Sequence, residues 1–170
     1  MHAFLDETKR DRYTVVVALL RPSEVDAARK VMRSLALQRR IHFRKEGDAR
    51  RQQIIAGISV LDVQVRVYTS GARNDRTARA EILEVAVADL ARSGVTRLVL
   101  ETDASVVASD RRVLNAAVQA AGATERLRYL HLPAHQEPLL WIPDAVAWCW
   151  TKNRNWRSLV DHLVVARTDL

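Results

Sequence analysis

The spacing of hydrophobic and polar positions changes along the chain, and the changes mark its elements. A short apolar run, Ala3-Phe4-Leu5, ends in Asp6-Glu7-Thr8, and a longer β-branched run fills positions 13–20. Both read as strands, the second continuous enough to be central. The polar turn at 9–12 predicts an antiparallel hairpin. Pro22 and Ser23 then open a helix, with Val25, Ala28, Val31, Met32 and Leu35 at helical spacing through about residue 38. Positions 39–48 break both periods and read as a loop, with Asp48 placed to cap a helix over 49–59.

Strict alternation of Leu61, Val63, Val65 and Val67 with polar residues predicts a half-exposed strand over 61–68. A long amphipathic helix over 74–93 follows, with Gly94 as its stop. Positions 95–103 repeat the opening pattern, an apolar strand ending in carboxylates at Glu101 and Asp103. Ser109 or Asp110 starts a helix that Gly122 ends, and 127–132 is a short strand. Pro138 opens a last major helix through 152, in which Pro143 is either a kink or the first turn. Residues from 153 onward are expected to form a closing helix or strand, without assigned bounds.

This order predicts one α/β domain over 1–170, with a helical insertion around 22–59. The strands on either side of helix 74–93 require a crossover, so the strand at 95 is expected to run parallel to its sheet neighbour. Parallel strands gather functional groups at their carboxyl ends, where Glu101 and Asp103 stand.

Composition adds a charge argument. Among 170 residues, 27 Lys and Arg against 20 Asp and Glu give a net charge of +7, which favours polyanionic partners unless the arginines reflect overall composition. No five like charges occur in a row, so the fold has to assemble any basic surface. No apolar run approaches the ~20 residues of a membrane helix, and the first residues lack a leader's pattern, so a cytoplasmic protein without a membrane partner is expected. The single cysteine, Cys149 between two tryptophans, reads as a small core residue.

Candidate chemistry rests on carboxylates. Period-two alternation puts Asp6 on the Phe4 face and Glu7 on the Leu5 face. Asp144 stands alone in an almost wholly apolar stretch, 139–150. It either caps the turn after Pro143, satisfies a buried basic partner, or binds a metal ion. Hard divalent ions take carboxylate oxygens, and a pair of ions about 3.5–4 Å apart suits phosphodiester hydrolysis. His42 either orients a phosphate, moves a proton or packs beside Phe43. Arg39, Arg40, Arg44, Arg50 and Arg51 are candidate phosphate contacts. His131 and His135 read as surface or loop residues. The tryptophans at 141, 148, 150 and 156 are either core or base-stacking groups.

The Phe-x-Asp-Glu-Thr opening, Ile41-His42-Phe43 with Glu46 after it, the strand ending in Glu101, Asp110-Arg111, and the stretch from Glu137 to Trp148 resemble the DUF3800 family of bacterial proteins. The resemblance spans nearly the whole chain. It implies a ribonuclease H-like fold with a mixed five-stranded sheet, antiparallel in its N-terminal part and flanked by helices on both faces. It also implies a Mg²⁺- or Mn²⁺-dependent nuclease acting on DNA or RNA. By position, Asp6, Glu101 and Asp144 would hold the ions, with Asp103 a further candidate ligand and Glu7, His42 and Glu46 further catalytic candidates. The family usually has Ser where Thr8 stands. A fourth carboxylate that ribonuclease H carries on its first helix is displaced here by the insertion, leaving Glu46 as the candidate replacement. The alternatives are a catalytically inactive nucleic-acid-binding or regulatory module of the same fold, and an interaction protein dimerised through the Trp-rich helix.

Overall fold

The computed structural model describes every residue except Asp11, which falls within the turn expected at 9–12. The strands are β1 (His2–Thr8), β2 (Tyr13–Leu20), β3 (Gln64–Ser70), β4 (Arg97–Glu101), β5 (Arg128–Leu132) and β6 (Val164–Asp169). The helices are α1 (Val25–Leu35), α2 (Asp48–Ser59), α3 (Asp75–Arg92), α4 (Val107–Ala120), α5 (Trp141–Lys152) and the short α6 (Arg154–Ser158). One mixed sheet runs in the order β5-β4-β1-β2-β3-β6. The hairpin β1–β2 is antiparallel, as is β2–β3, whereas β4 pairs parallel with β1 and β5 parallel with β4.

The sheet has six strands where five were expected. The additional strand, β6, pairs parallel with β3 at the sheet edge and is mostly exposed, so it carries no apolar stripe that sequence periodicity would detect. Strand β3 is also more covered than its alternation suggested, because Tyr68 and Ser70 are buried along with Val65 and Val67.

Alternation along β1 and β2 sorts the core into two layers. Phe4, Val16, Ala18 and Leu20 pack under α1, α2 and α5. Ala3, Leu5, Val15, Val17 and Leu19 pack under α3 and α4. Helix starts differ from expectation at two acidic residues. Asp48 lies inside α2, whose N-cap is Gly47, and pairs with Arg51 at 2.7 Å. Asp110 lies within the first turn of α4, buried, its carboxylate turned to a side-chain partner. Pro143 sits in the first turn of α5, where its missing N–H costs no helical bond. Asn74 caps α3 by accepting from the Thr77 N–H, and Gly94, at φ 70°, takes the left-handed conformation that stops it.

Helices α1 and α2 touch at Gly57, where an added Cβ would lie 2.6 Å from Leu35 Cδ1. A larger residue there must displace the Leu35 side chain from the contact between the helices. Gly57→Leu is expected to cost about 1–3 kcal/mol as overpacking, read as a lower urea midpoint.

Candidate functional site

The parallel register pairs Phe4 with Val99 and Leu5 with Leu100, so the next residues out, Asp6 and Glu101, sit side by side on the same face at the carboxyl ends of β1 and β4. Helix α5 crosses this face and brings Asp144, in its first turn, over them. Asp6 and Asp144 are half-buried, and neither forms a salt bridge with a described Arg or Lys.

Crowding shows in their titration. Burial, then the charges of Asp144, Glu7 and Glu101, push the Asp6 carboxyl well above the usual carboxylate range, against a hydrogen bond it accepts from the Glu7 N–H at 2.8 Å. Burial raises Asp144 to about 6, with Glu101 adding to the shift and a Phe43 backbone hydrogen bond and Arg40 opposing it. The loop carrying Phe43 thus reaches the site through its backbone.

Glu101 is turned aside. Its Oε1 accepts from Arg40 Nη1 at 3.2 Å, and the same guanidinium donates through Nε to His42 Nε2 at 2.6 Å. Arg40 Nη2 also lies 2.9 Å from His42 Nδ1, and an arginine can only donate, so this pairing opposes a doubly protonated ring. Burial and the Arg40 and Lys45 charges lower the His42 pKa accordingly, while Glu46 opposes them. Among the described residues, no group of three or more His, Cys, Asp or Glu side chains is arranged to hold a metal ion. Asp6 and Asp144 suit a hard divalent cation by donor type and by their lack of a salt bridge. Glu101 stands beside them with its Oε1 held by Arg40.

The remaining candidates lie elsewhere. Glu7 faces the opposite layer, where its carboxylate meets Arg79 Nη1 at 2.8 Å, because adjacent strand residues point to opposite sides. Asp103 is exposed beyond β4 and accepts from the Ser105 N–H and hydroxyl, which hold its pKa below the ordinary value. Glu46 pairs with Arg50 at 3.8 Å, one helical turn on. Arg50 and Arg51 are largely spent on backbone carbonyls, Arg50 on Leu35 O at the end of α1 and Arg51 on Phe43 O and Arg44 O in the following loop.

Sequence reading missed a second polar cluster on the α3/α4 side. Arg79, 5% exposed, donates to both oxygens of Asp110 at 2.7 and 2.8 Å and to the Tyr13 hydroxyl at 3.1 Å. His131, expected to be a surface residue, places Nε2 3.2 Å from Asp110. Burial alone would raise the Asp110 pKa, but the hydrogen bonds from Arg79 and His131 bring it below the ordinary value. Burial and Glu7 push the Tyr13 hydroxyl up to about 12. A signal for this knot existed in the arginine at position 79, on the core face of a helix whose neighbours Ala78, Ile82 and Leu83 are apolar. Trp141, expected to be exposed in a dimer-forming protein, is buried and donates to Ala134 O at 2.7 Å.

No family model matches the chain, and no curated protein sequence matches it. The fold is shared with a solved structure, the PCNA:RNase HII complex from Archaeoglobus fulgidus, at a TM-score of 0.61 and 17% identity over 95% of this chain and 76% of the other. The neighbour is RNase HII, and the chain has a ribonuclease H-like fold.

Proposed function

We propose that the protein is a divalent-cation-dependent nuclease, related to the DUF3800 family, that hydrolyses phosphodiester bonds at the Asp6–Glu101–Asp144 edge. The observation that carries this reading is the convergence of Asp6 and Asp144, two half-buried carboxylates without a described basic partner, on the face and strand ends that Glu101 also occupies. Such repulsion is costly unless a cation relieves it. A bound Mg²⁺ or Mn²⁺ would supply Lewis-acid stabilisation of the phosphoryl oxygens. Asp6 and Asp144 would hold and orient it, Glu101 would complete the set by turning from Arg40, and the Arg40 guanidinium would then hold a phosphate. His42, neutral and beside Arg40, is able to accept a proton at a ring nitrogen.

The test is incubation of the full chain with Mn²⁺ or Mg²⁺ on single- and double-stranded DNA, RNA and a hybrid duplex. Cleavage that requires the ion supports the reading, and intact substrates throughout overturn it. Arg40 competes with the cation for Glu101, so Arg40→Gln is expected to tighten Mn²⁺ binding about 5-fold by titration calorimetry, the worth of a half-exposed ion pair near 1 kcal/mol.

The Arg40–Glu101 pair also favours a second reading, a non-catalytic nucleic-acid-binding module in which the pair is permanent. In that case binding survives Asp6→Asn with Asp144→Asn, and Mn²⁺ leaves the melting temperature unchanged.

A further inference from the structure

Two cavities meet at Arg10 and Thr151. The first, of about 620 Å³, opens beside the carboxylate edge: Thr8 follows Asp6 by two residues on the same strand face, and Trp148 follows Asp144 by one turn of α5. Its lining includes Lys9, Arg10, Arg44, Arg51 and Lys152, and no described Asp or Glu. The second, of about 570 Å³, continues past α6 to the edge strand, with Arg12, Arg154, Arg157 and Arg167 around it and Asp169 as its described carboxylate. Seven residues of α5 from Asp144 to Thr151 span about 10 Å, and the steps from β2 across β3 to β6 about 10 Å more.

The aromatic groups on this path are closed to bases. Trp148 carries Arg51 at 4.3 Å and Lys152 at 5.4 Å from its ring centre, with Phe43 and Trp156 edge-on at 5.5 and 5.2 Å. Trp150 carries Arg157 at 3.7 Å and Arg167 at 4.6 Å. The rings hold guanidinium groups in place and offer no stacking platform, so the surface presents charge without a means of reading bases.

We propose that the two cavities form one track for the phosphodiester backbone of a nucleic-acid strand, independent of its sequence, running from the carboxylate edge over Trp148 to β6. The track gives the substrate of the proposed nuclease a path and rests on that reading for its direction. Binding is measured in EDTA, without cleavage, so the two readings fail separately.

Fluorescence anisotropy of the full chain with a labelled 20-nucleotide oligo-dT, titrated at 50 to 200 mM KCl, reads the salt dependence. Arg44, Lys152 and Arg154 are exposed and form no salt bridge among the described residues, so Arg44→Gln, Lys152→Gln and Arg154→Gln leave the fold intact, checked by melting temperature. Each lost phosphate contact on a single strand lowers the log–log salt slope by about 0.7, so the triple variant loses about 2 and the wild type's affinity falls about 20-fold more than the variant's across that salt range. Arg128→Gln, on β5 at the opposite edge of the sheet, leaves the slope unchanged. A triple variant with the wild-type slope overturns the track, as does a fall of about 0.7 for Arg128→Gln, the per-charge share of the triple variant's loss, which would mean net charge alone. Competition by polyphosphate as strong as by oligo-dT overturns its assignment to nucleic acid.

Discussion

Asp6→Asn is expected to abolish ion-dependent cleavage, by about 10³-fold or more, and to raise the melting temperature of the metal-free protein. Both effects follow from one geometry. The cation's charge stabilisation is worth several kcal/mol in the transition state, each 1.36 kcal/mol a factor of ten, and it depends on a carboxylate at the end of β1. Without the ion the same carboxylate is crowded by Asp144 and Glu101, so its neutral replacement relieves repulsion. Relief of about 1 kcal/mol in a chain of this size raises the melting temperature by about 2–4 °C. The pH dependence has a definite sign. The Asp144 carboxyl rises from 3.8 to about 6 on folding, so it contributes stability below pH 3.8 that is lost as pH climbs through 6, and Asp6 shifts in the same direction. The metal-free protein should therefore melt lower at pH 7 than at pH 5, with Mn²⁺ reducing the difference and Asp144→Asn flattening it. Scanning calorimetry that finds Asp6→Asn destabilised, or no decline above pH 5, contradicts this picture.

The largest stability effect is expected at Arg79. Removing its guanidinium leaves Asp110, 2% exposed, charged and without its bidentate partner, and strips Glu7 and Tyr13 of theirs. Breaking a buried pair on one side costs about 3–5 kcal/mol, so Arg79→Leu should lower the melting temperature by about 10 °C. The double variant Arg79→Leu with Asp110→Leu removes both charges of the bidentate pair and should recover part of the loss, while Glu7, Tyr13 and His131 stay without their partners. Urea unfolding measures both, and a single-variant loss under about 1 kcal/mol would mean that water already reaches the cluster.

The parts legible in sequence are those fixed by local periodicity. The β1–β2 hairpin, the α3 helix with its Gly94 stop, and the apolar strand ending at Glu101 all follow from spacing alone, and the opposite facing of Asp6 and Glu7 follows from the pleat. Strand β6 was not legible, because an exposed edge strand has no buried face to write into its sequence, and four of the track's cations stand in or beside residues 153–170 for the same reason. Side-chain pairing was not legible either. Nothing in the spacing of Arg40 indicates that it reaches Glu101, 61 residues away, nor that Arg79 rather than a helix cap claims Asp110. Glu7 and Asp103 read as site candidates because they sit beside Asp6 and Glu101 in the sequence. One residue of displacement on a strand, or two beyond its end, changes the face or leaves the sheet.

Asp6 and Glu7 are joined by a single peptide unit whose N–H donates to the Asp6 carboxylate, while the side chain of Glu7 is anchored to Arg79 in the other layer. That peptide acts as a rivet through the sheet. The orientation of the carboxylate on one side is braced by an ionic anchor on the other, so the two layers share one mechanical element. Loosening the anchor would let the peptide plane rock and the Asp6 oxygens drift, so the α3/α4 layer would support the proposed site from the far side of the sheet.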